Sequence, residues 1–210
     1  HYDQSPQMNF SNLPSPRKDL LPKFSYISKN TIQATFGCPY KCDFCAVIST
    51  QKKYLRRPVE DVIKEISEMN GNFVTFIDPS PMEDKKYIKR LLREMIPLNK
   101  MWGGLATVKI GDDEELMDLC AESGCKGLLI GFESVEQDAL VEINKGFNVV
   151  EKYRNLCTRL HERGIAINGT FIFGMDSDTK DTFKRTVDFV QENAIELPRL
   201  SLIHISEPTR

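Results

Sequence analysis

Short apolar runs of strand length, each followed by an amphipathic helical pattern, set the tightest limit on what this chain can fold into. TIQATF (31–36) precedes PVEDVIKEISEMNG (58–71), in which Val62, Ile66 and Met69 fall on one helical face. FVTFI (73–77) is a continuous apolar run, as in a strand buried on both faces. EDKKYIKRLLREMI then repeats the helical stripe through Tyr87, Ile88, Leu91, Leu92 and Met95. WGGLATV, GLLIGF and IAINGTFIFG read as further strands. DEELMDLCAESG, VVEKYRNLCTRLHERG and DTKDTFKRTVDFVQENA read as helices, the first stopped by Gly124 and the last with Phe183, Val187, Val190 and Ala194 on one face. LPRLSL begins a sixth strand. Strands alternating with helices predict an α/β fold of parallel βαβ units. Residues 31–200 hold about six units of roughly 30 residues, too few for an eight-unit barrel of about 250. An open doubly wound sheet and a partial barrel both remain, and either gathers ligands at the carboxyl ends of its strands.

Composition excludes several classes of partner. The chain has 210 residues, 40% of them hydrophobic, with a net charge of −2, so no basic field points to nucleic acid or to a membrane surface. No apolar run reaches bilayer length. Three of the six cysteines are clustered within eight residues rather than dispersed as in a disulfide framework, which in a cytosolic protein more often means metal or redox chemistry. Residues 1–30, with Pro6, Pro14, Pro16 and Pro22, read as an extended arm or linker from an upstream domain. The final SLIHISEPTR (201–210) reads as a translated sequencing-adapter scar, against the alternative of a genuine last strand RLSLIHI. His204 therefore carries no functional weight. Residues 31–200 form the core domain.

The stretch GCPYKCDFC (37–45) places Cys38, Cys42 and Cys45 in the spacing C-x3-C-x2-C, just after the first strand. Thiolates this close can converge on one soft metal centre. Iron–sulfur and structural zinc sites ordinarily take four ligands, and no fourth candidate lies nearby in sequence. A centre with three protein ligands keeps a position open for substrate. Two rival readings stand beside that one: a non-catalytic zinc module using a distant fourth ligand, and an iron–sulfur protein that only relays electrons.

CPYKCDFC after a first strand resembles the radical S-adenosylmethionine (radical SAM) enzymes. The resemblance covers nearly all of residues 31–200, and it implies a partial (β/α)6 TIM-like barrel of the radical SAM type. It also implies a 4Fe–4S cluster on Cys38, Cys42 and Cys45, with the fourth iron left for the amino and carboxylate groups of SAM. The activity implied is reductive cleavage of SAM to methionine and a 5′-deoxyadenosyl radical. Phe44 matches the aromatic residue that packs near the adenine; loop-anchoring core packing is its other reading. RRPVEDVIKEI, GLLIGFES and GTFIFGMDSDT look like the subgroup that often carries an N-terminal cobalamin-binding domain. Cobalamin-dependent methyl transfer is the leading reaction there, with methylthiolation as an alternative. Cobalamin would bind through a domain outside this chain, whose D-x-H-x-x-G signature is absent here. The resemblance also implies a small-molecule substrate, an electron donor such as flavodoxin or ferredoxin, and a reducing cytoplasm.

Asp78, after the second strand, falls where the family meets the SAM amino group, although Pro79 stands where relatives have a second acidic residue; a turn-capping carboxylate is the other reading. Glu133, in GFES, matches an acidic position that helps hold SAM. Asp176 and Asp178 follow the fifth strand, and Asp178 reads as a helix N-cap. Cys120 and Cys157 sit on apolar helical stripes as small hydrophobes, and Cys125 is too remote to join the loop. The basic run 52–57 reads as a solvated loop. Trp102 and Lys109 flank the third strand, and their facing is not decided.

Overall fold

Spatial order follows chain order in the main sheet, and that decides between the two architectures. The computed structural model describes residues 10, 13–22, 28–50 and 53–203. Its elements are β1 (Thr31–Ile32), β2 (Thr35–Phe36), α1 (Val47–Thr50), β3 (Leu55–Arg56), α2 (Val59–Glu68), β4 (Phe73–Phe76), α3 (Lys85–Met95), β5 (Met101–Ala106), α4 (Glu114–Glu122), β6 (Cys125–Glu133), α5 (Gln137–Glu142), α6 (Tyr153–Glu162), β7 (Ala166–Phe173), α7 (Lys180–Glu192) and β8 (Leu197–Leu202). Six strands pair in parallel in the order β1-β4-β5-β6-β7-β8. Right-handed crossovers that never reverse direction put every helix on one face of the sheet. A doubly wound sheet needs such a reversal. The sheet is therefore a partial (β/α)6 barrel, with β1 and β8 as its edges.

The two faces of the sheet differ in chemistry. Val74, Phe76, Trp102, Leu128, Ile130, Phe132, Ile167 and Phe171 are buried against the helices, joined by Ile88, Leu91, Leu116, Cys120, Leu156 and Cys157. Cys120 and Cys157 are thus small core hydrophobes, and Cys125 is buried too. On the inner face, Gly103 pairs with Gly127, Leu105 with Leu129, Leu129 with Asn168 and Gly131 with Thr170. These residues are only half buried apart from their strand pairing. Glycine and small polar side chains leave room inside the sheet, and bulky apolar ones close it outside.

Residues 31–36 do not run as one strand. β1 belongs to the main sheet, whereas β2 leaves it to pair antiparallel with β3, Thr35 opposite Arg56 and Phe36 opposite Leu55. Asp78, in the turn after β4, causes the break. Its Oδ1 accepts from Ala34 N (2.9 Å), from Thr35 N and from Thr35 Oγ1 (2.7 Å), amides that would otherwise extend the ladder to β4. Past the break, Arg57 N donates to Ala34 O at 2.9 Å. Arg57 is buried, giving Nη1 to Gln33 O (2.9 Å) and Nη2 to Glu65 Oε2 (2.8 Å). Lys18 closes on the other oxygen of Glu65 at 2.9 Å, which ties the arm to α2. In the described part of the basic run, Lys53 and Arg56 are exposed, Arg56 pairing with Asp84, and Arg57 departs from the solvated reading by being interior. Lys52 lies outside the described residues.

Helix α7 also departs from its apolar stripe. Phe183 and Val187 are 53% and 50% exposed, and Ala194 is exposed, while Thr182 and Thr186 are buried. The threonine hydroxyls are satisfied locally, Thr182 in a capping box with Thr179 and Thr186 on the Thr182 carbonyl at 2.8 Å. Their methyl groups can then face the sheet, which hydrophobicity alone does not reveal. Thr179, not Asp178, is the N-cap; Asp178 Oδ2 instead accepts from Gly174 N (2.7 Å) and Met175 N (3.1 Å). Ser201 and Leu202 extend β8 opposite Ile172 and Phe173. His204 and the residues after it lie outside the described residues, as does most of the arm before Leu13.

Asp78 is fully buried with Oδ2 unpartnered, and burial pushes its carboxyl up to about 6, against the pull of the Thr35 and Ala34 hydrogen bonds. The fold therefore holds this proton more tightly than the unfolded chain does. That stabilisation is complete below about pH 4 and is lost as pH rises through about 6. Asp78→Asn keeps an acceptor for the same donors without the charge, so it should flatten stability across pH 4–6 and be no less stable than the parent at pH 7. Asp78→Ala strands two buried amides and should cost about 1–3 kcal/mol. Urea denaturation from pH 4 to 7 reads both; a slope retained in Asp78→Asn would mean that another group carries it.

Candidate iron–sulfur and SAM site

The β2–β3 pair pinches the chain at both ends of residues 37–54, so the cysteines lie on a closed loop at the carboxyl rim of the barrel. Gly37 has φ +79°, and a Cβ there would run into the Lys53 carbonyl. Only glycine lets the two ends of the loop touch. Cys42 is buried, and Cys38 and Cys45 are half buried.

Two walls hold this loop. The first is built on Glu83, just before α3. Its Oε2 accepts from Tyr40 Oη at 2.5 Å, and its Oε1 accepts from Ser80 Oγ and Thr107 Oγ1, both at 3.0 Å. Tyr40 stacks on Phe147 with centroids 4.2 Å apart, and Lys109 Nζ sits over both rings at 4.8 and 5.0 Å. Lys109 thus faces the cysteine loop, whereas Trp102 is core, its Nε1 donating to Ser123 Oγ at 3.0 Å.

The second wall is the segment after α5. Asp43 N donates to Ile143 O (3.2 Å) and Asn144 Nδ2 donates to Lys41 O (2.8 Å). The next residue, Lys145, is buried and lies 2.6 Å from Glu133 Oε1, with Nζ 5.8 Å from the centre of the Phe44 ring. Phe44 itself packs with Ala139, Ile143, Ile172 and Met175.

Glu133 reaches this place through strain in β6. The β6–β7 register shifts between Gly131 and Glu133, and Glu133 adopts φ +66°, rare for a residue with a Cβ. The bend is buttressed from behind: Asn148 Nδ2 donates to Gly131 O (3.0 Å) and Phe132 O (3.1 Å), and Tyr153 Oη donates to Phe132 O (3.0 Å). Glu133 Oε2 accepts from Thr170 Oγ1 at 3.1 Å. A Cβ on Gly131 would overlap Glu133 Oε1 and crowd Lys145 Nζ, so glycine makes room for the ion pair.

Burial raises the Cys38 thiol and pushes Cys42 up to about 11, with the Lys145 charge opposing the shift at Cys42. Among the described residues, no three His, Cys, Asp or Glu side chains close on a common point as they would around one metal ion. A 4Fe–4S cluster makes a different demand, because each thiolate bonds its own iron. Three soft thiol donors on one closed loop, with Cys45 near enough to raise both the Cys38 and the Cys42 thiol, fit such a cluster with one iron left free of protein.

Of the residues marked in the sequence, Cys38, Cys42, Cys45, Phe44 and Glu133 lie around one rim. Asp78 holds the backbone of residues 34–35 through Oδ1, and its Oδ2 has no hydrogen-bond partner. Asp176 and Asp178 order the turn after β7, the Asp176 amide donating to Glu142 Oε1 at 2.8 Å. Lys145, Glu83 and Phe147 carry no motif that would single them out; only the tertiary fold brings them to the cysteines, where Glu83 and Phe147 meet Tyr40 of the loop.

A half-open parallel barrel with a three-cysteine loop at its carboxyl rim defines a class, and comparison with known proteins gives it a name. The sequence profile of the Radical SAM superfamily matches residues 32–190. The chain belongs to that superfamily. It is 35% identical over 179 residues to bacteriochlorophyllide d C-12(1)-methyltransferase of Chlorobaculum tepidum, covering 82% of this chain and 39% of that protein. It is 25% identical over 210 residues to hopanoid C-2 methylase of Rhodopseudomonas palustris, covering 94% of this chain and again 39% of the relative. The chain thus spans about two fifths of the length of these curated relatives. Among solved structures, the fold matches the radical SAM methyltransferase TsrM of Kitasatospora setae, determined with cobalamin and a [4Fe-4S] cluster, with a TM-score of 0.74 and 23% identity over 82% of this chain and 34% of that one. Among the described residues, no helix is long and apolar enough to cross a membrane.

The Glu133–Lys145 packing is directly testable. Gly131→Ala should overpack it and destabilise the fold by about 1–3 kcal/mol. Gly146→Ala, at an exposed glycine with ordinary φ, should stay within about 0.5 kcal/mol of the parent. Equal urea midpoints for the two variants would show that the space at Gly131 is not needed.

Proposed function

We propose that this chain is the catalytic core of an enzyme that cleaves S-adenosylmethionine reductively and uses the cleavage for methyl transfer to a small molecule. The observation that carries the reading is the closed loop of three thiols with Glu133 held beside it on a strained strand end. Cys38, Cys42 and Cys45 would hold a 4Fe–4S cluster and leave one iron free of protein for SAM. Bound there, the cluster would supply the one-electron reduction that cleaves SAM to methionine and a 5′-deoxyadenosyl radical. Glu133 meets the amino group of SAM, Phe44 offers its ring near the adenine, and the inner-face glycines of β5 and β6 leave space for the substrate. Asp78 acts one step back, anchoring the strand from which the loop springs. The barrel wall and the apolar packing around Phe44 keep water from the reacting carbon.

Methyl transfer is supported by the printed activities of the curated relatives, and use of cobalamin by the TsrM structure and by those of OxsB, a cobalamin-dependent S-adenosylmethionine radical enzyme. In this reading cobalamin is held outside residues 31–200, and a flavodoxin- or ferredoxin-like donor in a reducing cytoplasm supplies the electron.

Anaerobic reconstitution with iron and sulfide, followed by electron paramagnetic resonance with and without SAM, tests the reading. The expected result is a reduced 4Fe–4S signal that changes on adding SAM, with 5′-deoxyadenosine formed. Alanine at Cys38, Cys42 or Cys45 should each abolish the cluster, whereas Cys120→Ala should retain it. A full cluster in any of the three loop variants would overturn the ligand assignment.

A further inference from the structure

Two charges of opposite sign, the buried Lys145 and the half-buried Glu83, lie against opposite ends of the cysteine loop, and neither belongs to a sequence motif. At the Cys38 end, Glu83 binds Tyr40 Oη at 2.5 Å and Ser80 Oγ at 3.0 Å, and the Ser80 hydroxyl also bonds Cys38. At the Cys42 end, Lys145 is 8% exposed at its side chain, 2.6 Å from Glu133 and over the Phe44 ring, which lies between Cys42 and Cys45. A charge withdrawn from water acts through a lower dielectric, so Lys145, and to a smaller degree Glu83, is felt at the loop more strongly than an exposed charge would be.

We propose that Lys145 and Glu83 set the reduction potential of the metal centre held by this loop, Lys145 raising it from the Cys42 side and Glu83 lowering it from the Cys38 side. The inference rests on the iron–sulfur reading above. Reduction adds one negative charge to the cluster, taken as a single electron from the donor, with no bond made or broken and no proton moved. A nearby ammonium stabilises that added charge and a nearby carboxylate opposes it. Glu133 faces Cys42 as well, but Lys145 neutralises it at 2.6 Å. Removing Lys145 therefore withdraws a cation and also uncovers an anion. These are positioning charges, acting on the centre through its ligands.

The experiment is a redox titration of the anaerobically reconstituted protein without SAM, poised with dithionite and mediators and read by electron paramagnetic resonance. Lys145→Met should move the midpoint to more negative potential and Glu83→Gln to more positive potential. Lys145→Arg, which keeps the charge, should stay near the parent, and Lys145→Met combined with Glu133→Gln should return toward it. A role confined to packing would not give opposite signs for two isosteric losses of charge. If Lys145→Met does not fold, the positive shift in Glu83→Gln still decides: its absence overturns the proposal. Shifts of the same sign in the two variants, or an equal shift in Lys145→Arg and Lys145→Met, also overturn it. Failure of the parent to take up a cluster would instead overturn the iron–sulfur reading itself.

Discussion

The carboxylate of Asp78 does one thing on which the site depends: it takes two amides and a hydroxyl from Ala34 and Thr35 that the parallel ladder would otherwise use. With those donors diverted, the chain leaves the main sheet after Ile32 and re-pairs with β3, which pinches off residues 37–54 as a closed loop. Closing the loop brings its two ends together before any metal binds, which lowers the entropic cost of gathering the three thiols. Gly37 completes the closure, since its backbone conformation and lack of a Cβ allow contact with Lys53.

Around that loop the carboxyl rim is organised by charge. Glu83 collects hydroxyls from three segments, Tyr40 on the loop, Ser80 after β4 and Thr107 after β5, and so fixes the loop to two strand ends at once. Across from it, Glu133 and Lys145 form a buried ion pair. Removing one partner of such a pair would leave an uncompensated charge, commonly worth about 3–5 kcal/mol. β6 adopts an unusual backbone conformation to present Glu133, and Asn148 and Tyr153 hold the carbonyls that the bend exposes. Strain sustained by so many specific contacts is what a binding position requires, because the side chain is already placed when the ligand arrives.

Periodicity carried most of the fold. The β4, β5, β6 and β7 runs and the helices α2, α3, α4 and α6 stand where apolar spacing places them, because each buries its stripe against the sheet. It failed where another force sets the geometry. The split between β1 and β2 comes from a carboxylate 44 positions away from Ala34, and α7 turns buried threonines inward because their hydroxyls are satisfied within the helix. No apolar pattern marks the short helix α5. The site divides in the same way. The sequence marks Cys38, Cys42, Cys45 and Phe44 by one local motif and Glu133 by its place after a strand. Lys145, Glu83 and Phe147 come from separate stretches of chain that only the barrel's winding brings to one rim, and Asp78 gives one oxygen to the backbone of residues 34–35, a contact no local pattern announces.

The central claim is that three thiolates leave one iron of a four-iron cluster open to SAM. Mössbauer spectroscopy of protein reconstituted with 57Fe, recorded with and without SAM, tests it most directly. The account predicts that SAM changes the parameters of one iron in four and leaves the other three as they were. Four irons that remain indistinguishable, or a spectrum untouched by saturating SAM, would contradict it.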